Sequence, residues 1–364
     1  MKQRIYFQLA AMNIGGVEKS WLNLVDTIDR EKYEIHLGLI KPQGGYIGYI
    51  PKDVIVHHVD CFDLYRSEIN DPPQLVLRNY LRQGKIAATM VLFVLYAIAK
   101  FSKNWLCFYR YIMRDVPMVS EEYDIAIAYA GPCQMIDYYV CRKIKAKRRF
   151  GWIHFDITKF GIDRGLTRTL YRDFEKIFVV SETAKARFDE VFPELASKTE
   201  VRYNIVSHEQ VRRMAEEGES FDDEFSGMRI LTVGRISAEK GQLEAVRALK
   251  LLIDRDYNVK WYFVGDGNMR RPCVELAQKL GIADRVVMLG AQTNPYGYMR
   301  DCDIYVQPSR HEGYCITLAE ARSFDIPIVS TRFTGAEEQL SSHTKSQVTA
   351  MSPEDMAIGI VKFL

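Results

Sequence analysis

Runs of β-forming residues alternate with helix-forming windows along the whole chain, and this rhythm constrains the fold more than any other feature. "RIYFQLA" reads as a strand, "AMNIGGVEKSWLNLVDTI" as a glycine loop and helix, and "YEIHLGLI" as the next strand. "YDIAIAYA", "RRFGWIHFD", "KIFVVSE" and "TEVRYNIV" continue the series. A second series opens at "MRILTVGRI" and runs through "VKWYFVGDG", "RVVMLGA", "DIYVQP" and "IPIVST", with helix windows such as "GQLEAVRALKLLIDR" between them. Strands joined through helices need right-handed crossovers, which cover both faces of a mainly parallel sheet. The expected class is α/β, with two doubly wound, Rossmann-like domains in tandem. The texture changes after Val206, so residues 1–217 are read as the first domain, 218–227 ("GESFDDEFSG") as a linker and 228–364 as the second domain. Folds of this kind bind ligands at the carboxyl ends of their strands, and two in tandem leave a cleft facing both sheets.

Composition narrows the function mainly by exclusion. Lys and Arg number 49 against 47 Asp and Glu, so the chain carries no global nucleic-acid signature. The seven cysteines, Cys61, Cys107, Cys133, Cys141, Cys273, Cys302 and Cys315, form no C-x-x-C pair. An odd, scattered set indicates reduced thiols in a cytoplasmic protein rather than a zinc site or a disulfide framework. "MKQRIYFQLAAMNIGG" lacks a small-residue cleavage site and runs into a glycine turn, so it is read as a core strand rather than a signal peptide.

One stretch breaks the rhythm. "KIAATMVLFVLYAIAKFSKNWLCFYRYIMRD" has roughly fifteen mostly apolar residues before Lys100, short of the ~20 needed to span a bilayer. Trp105, Phe108, Tyr109, Arg110, Tyr111 and Arg114 follow, and "CRKIKAKRRF" places six cations between Arg142 and Arg149. An apolar helix beside basic residues suits an anionic membrane surface, so a peripheral contact through 86–114 and 142–149 is expected. The alternative is a buried helix with an ordinary solvated loop.

The chemistry concentrates in the second series. In "VGRISAEKGQ", Arg235 and Lys240 stand at a strand-to-helix junction, where a forked guanidinium and a point charge suit a diphosphate. The spacing is not that of a P-loop. "VGDGN" lacks the third glycine of a dinucleotide fingerprint and is read as a tight turn, and Asp301 and Asp303 in "DCD" as strand-end residues rather than metal ligands. In "VQPSRHEGYCITLAEARSF", Glu312 falls in a loop and Glu320 within a helix that starts near Ile316 or Thr317. Gly313 lets backbone approach a ligand, and the amides of Tyr314, Cys315 and Ile316 would face an anion.

These motifs, with "NIGGVEK" near the N-terminus, come in the order found in GT-B-fold retaining glycosyltransferases of glycosyltransferase family 4, which the chain resembles along almost its whole length. The likeness is strong over about 228–338, clear at the N-terminal loop and loose over about 60–120. The resemblance implies two facing Rossmann-like domains with an interdomain cleft, the first for an acceptor and the second for a nucleotide-sugar. By it, Arg235 and Lys240 neutralise the donor diphosphate, Glu320 binds the ribose hydroxyls, and Glu312 faces the transferred sugar. Gly15 and Gly16 match the loop that approaches donor phosphates and acceptor, and His154 a histidine facing the reacting sugar. Glu312, His154, Arg235 and Lys240 are thus the expected catalytic set, and the amides after Gly313 are expected donors to sugar or phosphate. A hexosyltransferase-type enzyme is implied, independent of metal and of any cofactor, with UDP- favoured over GDP-sugars. Its acceptor would be a saccharide or lipid-linked saccharide for bacterial surface polysaccharide or glycolipid. A cytoplasmic location at the inner face of the plasma membrane goes with that reading. Two rivals remain: a GT-B nucleotide-sugar 2-epimerase and a non-catalytic nucleotide-sugar-binding subunit. Members of the group often end with a helix that returns to the first domain, whereas here one helix is expected after Ser352-Pro353 and no second.

Overall fold

The computed structural model describes residues 2–59, 67–69, 71–159 and 161–364; Cys61 lies outside the described residues. The first part of the chain runs β1 (Gln3–Leu9), α1 (Gly16–Asp26), β2 (Tyr33–Leu39), β3 (Ile55–His58), α2 (Pro73–Arg82), α3 (Ile86–Ser102), α4 (Leu106–Ile112), β4 (Glu122–Gly131), α5 (Gln134–Arg142), β5 (Lys145–Ile153), α6 (Arg164–Tyr171), β6 (Lys176–Val179), α7 (Glu182–Val191), β7 (Thr199–Val201) and α8 (His208–Glu217). The second part runs β8 (Met228–Val233), α9 (Gln242–Ile253), β9 (Val259–Val264), α10 (Arg270–Lys279), β10 (Val286–Gly290), α11 (Tyr296–Asp301), β11 (Ile304–Gln307), α12 (Ile316–Ala321), β12 (Ile328–Thr331), α13 (Ala336–Leu340), β13 (Ser346–Thr349) and α14 (Pro353–Val361).

Among the described residues the strands form two sheets, ordered β3-β2-β1-β4-β5-β6-β7 and β10-β9-β8-β11-β12-β13. Every ladder is parallel. Both orders reverse direction once, between β1 and β4 and between β8 and β11, which is the doubly wound pattern the sequence rhythm predicts. The second sheet shows why its strands read as continuous apolar runs. Leu231, Val233, Tyr262, Val264 and Tyr305 pack into one core, while Ile230, Trp261, Phe263, Ile304 and Val306 pack into another. Neighbouring residues point to opposite faces, and both faces are covered.

The chain divides into two compact units: residues up to Asn13 with Thr27–Arg202, and Ile14–Asp26 with Tyr203–Leu364. The second unit takes in α1 and α8, which the sequence places with the first domain. Hydrogen bonds explain it for α1: Ser20 Oγ donates to Asn204 Oδ1 at 2.6 Å, and Asn23 Nδ2 donates to the Ile205 carbonyl at 2.8 Å. The expected linker, 218–227, has neither helix nor strand, yet it is pinned to the second unit. The Phe221 ring lies 4.6 Å from that of Tyr262 and 5.2 Å from that of Tyr298. Asp223 receives the Tyr262 hydroxyl at 2.6 Å and Lys260 Nζ at 2.8 Å.

Candidate functional site

The reversal point of the second sheet builds the site. The chain leaves β8 and β11 in opposite directions, so the loops at their carboxyl ends flank a notch. Gly241 closes the first loop at φ 73°, and a Cβ there would lie 1.9 Å from the Pro308 carbonyl oxygen. Only glycine permits that approach, and it seats Lys240 against the loop after β11. Lys240 Nζ donates to Glu312 Oε1 at 2.5 Å, and Ser309 Oγ donates to the same oxygen at 2.7 Å. Behind Ser309 a buried chain continues, with Gln307 Nε2 donating to Ser309 Oγ at 2.9 Å and the Tyr305 hydroxyl to Gln307 Oε1 at 2.7 Å. Thr331 Oγ1 holds the Ser309 carbonyl at 2.6 Å. Glu312 is therefore positioned from within the sheet, although it stands in a loop.

Burial alone would push the Lys240 ammonium towards neutrality, but the charge and hydrogen bond of Glu312 outweigh it and hold the pKa above its usual value. Lys240 is a permanent cation. Arg235 is exposed beside it, and its charge bears on Lys240 and on Glu239. The sequence reading keeps cations and carboxylates on separate duties, whereas here Lys240 and Glu312 are bonded to each other. An incoming diphosphate would take a share of a cation that already has a partner.

Glu320 lies on α12, which begins at Ile316 behind Cys315 as the sequence predicts. Its side chain is not solvated: Glu320 is 3% exposed, and the Tyr296 hydroxyl donates to its Oε1 at 2.6 Å. Burial pushes this carboxyl up to about 7, against the opposing pull of Lys19 and the Tyr296 hydrogen bond. Lys19, on α1, sits with its Nζ 5.6 Å from the Tyr296 ring centroid. Lys19 and Tyr296 are site residues the sequence reading missed. Lys19 stands inside the quoted "NIGGVEK" but carries no individual signal there, and Tyr296 has none. Tyr305 links the two halves: burial first, then the negative fields of Glu320 and Glu312, keep its phenol protonated.

Gly15 and Gly16 open α1 and fall in the same unit as Arg235, Lys240, Glu312 and Glu320. Gly313 is buried and Tyr314 half-buried, its ring 6.1 Å from that of Tyr203. The Cys315 amide does not face outward. With its carboxamide turned oxygen-first, Gln339 accepts from the Cys315 N–H at 3.2 Å and donates to the Cys315 carbonyl at 3.3 Å. Burial also pushes the Cys315 thiol up to about 12, which removes it as a nucleophile.

His154 lies in the other unit, just past β5. It is 9% exposed, packed among aromatic rings, with the Tyr129 backbone as a polar neighbour. The Tyr129 ring centroid is 4.6 Å away, and Trp152 stacks at 6.1 Å. Burial lowers its pKa to about 3, so the imidazole is neutral across the physiological range. Asp301 and Asp303 are taken up locally: Asp301 by Arg300 and Ser220, Asp303 by the Arg229 amide. The "GDG" turn is bound to the loop after β8, since Ile236 N donates to the Asp266 carbonyl at 3.0 Å and Met269 N to the Ile236 carbonyl at 3.1 Å. The cations of 142–149 are largely consumed in the first sheet. Arg142 pairs with Asp173, Lys147 with Asp124 and Arg148 with Glu175, while Lys143 and Arg149 hold backbone carbonyls.

The fold is GT-B, two Rossmann-like α/β domains built on parallel sheets. Anabaena HepE, whose structure was solved with UDP and glucose, superimposes with a TM-score of 0.68 at 15% identity over 99% of this chain and 89% of that one. The half that holds Lys240 and both glutamates also has a family likeness. Residues 225–364 match the model of the family described as glycosyl transferases group 1. An uncharacterized glycosyltransferase of Methanocaldococcus jannaschii is 28% identical over 167 residues, 44% of this chain and 40% of its own length. The N-acetylgalactosamine-N,N'-diacetylbacillosaminyl-diphospho-undecaprenol 4-alpha-N-acetylgalactosaminyltransferase of Campylobacter jejuni is 30% identical over 134 residues, 37% of this chain and 35% of its own. The chain thus spans half or less of the length of the curated relatives it matches.

Proposed function

We propose that this protein is a retaining glycosyltransferase of family 4, transferring a hexose-type sugar from a nucleotide-diphosphate sugar, with UDP favoured as the nucleotide. The observation that carries this reading is the Lys240–Ser309–Glu312 cluster, seated beside Arg235 at the reversal point of a sheet that matches the group 1 family. Breaking the bond between sugar and diphosphate builds negative charge on the leaving group and positive charge on the ring. Lys240 and Arg235 stabilise the former without a metal, and Glu312 accepts hydrogen bonds from the sugar. Glu320 accepts from the ribose hydroxyls, which favours its ionised form. The acceptor oxygen attacks the anomeric carbon on the face the phosphate leaves. The bond between the anomeric carbon and the donor phosphate oxygen breaks with its electron pair on the phosphate, which takes the acceptor proton. His154, a neutral imidazole, serves as an acceptor or donor facing the reacting sugar.

The acceptor side of the reading is a saccharide or lipid-linked saccharide for surface polysaccharide, processed at the cytoplasmic face of a membrane. It is supported by the diphospho-undecaprenol named for the Campylobacter relative and by the apolar surface of α3. Among the described residues no helix is long and apolar enough to cross a membrane. Thermal melting with a panel of nucleoside diphosphates tests the donor. UDP should raise the melting temperature and GDP should not, and Arg235→Ala and Lys240→Ala should each remove most of the shift. An unchanged shift in both variants would refute the phosphate assignment.

A further inference from the structure

The two oxygens of Glu320 stand in different surroundings. Oε1 accepts the Tyr296 hydroxyl at 2.6 Å, and Tyr296 is itself 1% exposed, so this bond is made inside the core. Oε2 accepts no hydrogen bond among the described residues, yet it is not one of the polar atoms sealed away from the surface. The carboxyl group is tied at one end and open at the other. Short helices hold both partners: Tyr296 opens α11, where its N–H donates to Asn294 Oδ1 at 3.3 Å, and Glu320 lies on α12, which packs against it. Lys19 draws the Glu320 carboxyl towards its anion, with its Nζ 5.6 Å from the Tyr296 ring centroid.

This asymmetry decides how many hydroxyls the carboxylate can take. A free carboxylate offers both oxygens as acceptors, so it can receive the two hydroxyls of a vicinal diol side by side, one on each. Here the Tyr296 hydroxyl already fills the place on Oε1. Turning the carboxylate to release that oxygen would leave a buried phenol with no acceptor, and an unmade bond inside a core costs the full desolvation of the group. The open oxygen is left to a single donor.

We infer that Tyr296 sets how the ribose of the donor is read: by holding Glu320 Oε1 it leaves Oε2 to bind one ribose hydroxyl, and the neighbouring hydroxyl goes unread by this carboxylate. Tyr296 acts through Glu320 and is a positioning residue. This role rests on the donor assignment above and sharpens it, because it makes the site selective for a hydroxyl at one ribose position and tolerant of its loss at the other. The phenol hydroxyl, rather than the ring, carries the effect, since a phenylalanine would fill the same space in the core.

Calorimetric titration of the full chain with UDP, 2′-deoxy-UDP and 3′-deoxy-UDP tests it. In the wild type one deoxy analogue should bind within about two-fold of UDP. The other should bind about ten-fold more weakly or worse, the loss expected when a hydrogen bond to a charged group goes unmade. Tyr296→Phe removes only the hydroxyl and frees Oε1 for the second ribose hydroxyl. The analogue that was tolerated should then fall behind UDP by about five-fold or more, so that the two analogues become alike. A hydroxyl that serves the fold alone would weaken all three nucleotides by one common factor in Tyr296→Phe, and unchanged ratios there would overturn the role. Equal weakening of both analogues in the wild type would overturn it as well, and that comparison stands whether or not the variant folds. Equal affinity for all three would place the ribose away from Glu320 and remove the basis of the role while leaving the phosphate contacts intact. Absence of any UDP binding by the wild type would instead sink the donor reading itself.

Discussion

The notch at the ends of β8 and β11 and the outer face of α3 depart from ordinary globular packing in opposite directions. In the notch, charge has been taken inside: the Glu312 side chain is 9% exposed, and Glu320 is 3% exposed on the helix that follows. On α3, apolar side chains have been left outside, with Phe101 at 89% exposure. A buried ion pair gives back little more than its desolvation cost, and an exposed phenylalanine contributes nothing to the core. Folding explains neither arrangement. On the proposed reading a ligand of complementary character would explain each, an anion with hydroxyls in one place and a lipid surface in the other.

The largest expected effect comes from separating the notch's binding role from its structural one. Lys240→Ala leaves the Glu312 carboxylate buried with only Ser309 as donor, and should cost about 3 kcal/mol in urea unfolding. Nucleoside diphosphate binding should fall by about 100-fold or more, as expected for loss of a charge-assisted contact. Lys240→Met combined with Glu312→Leu removes both charges at similar volume. It should recover most of the stability and none of the binding. Recovery of binding in the double variant would mean that the pair is a packing feature, and the contrast with α3 would collapse.

How far this was legible in the sequence follows from where each signal comes from. The central strands were readable because burial on both faces demands unbroken apolar runs such as "KWYFV" and "DIYV". The two strands missed, β3 and β13, each stand at one of the two edges of their sheet, and their residues are mostly exposed or half-buried. Edge strands pack on fewer neighbours and keep a mixed composition. The loop after β8 announced itself through two cations and a glycine at a strand-to-helix junction. The partnership of Lys240 with Glu312 did not, because it depends on Gly241 lying against Pro308 across the reversal point. Nothing local encodes that contact. The same holds for Glu320, whose burial is set by Tyr296 and by α1 arriving from the far end of the chain.

Glu320 provides the next test, through its proton. Burial raises its carboxyl from 4.5 to about 7, so the folded protein keeps a proton that the unfolded chain has already lost. The stability this contributes is complete below the unfolded value and disappears as pH rises through the folded one. The wild type should therefore lose stability relative to Glu320→Gln between those two values. Binding should run the other way. Uridine, which avoids the titrating phosphate, should bind about ten-fold tighter at about pH 8 than at about pH 6, because its hydroxyls donate to the ionised form. Glu320→Gln should flatten that profile. A flat profile in the wild type would place Glu320 outside the ribose contact.

The smallest effect belongs to α3, and its smallness is the point. Leu92 and Phe101 sit on the same helix, one fully buried and the other almost fully exposed. Leu92→Ala opens a cavity beneath the helix and should cost about 3 kcal/mol. Phe101→Ser removes a larger side chain yet should change unfolding stability by no more than about 0.5 kcal/mol. If α3 is held in the fold by its inner stripe alone, as the exposures imply, the two values must differ in this order. A cost for Phe101→Ser comparable to that of Leu92→Ala would mean that the outer face is covered by the protein itself. The surface would then be a piece of core, with no lipid to meet and no contrast to the notch.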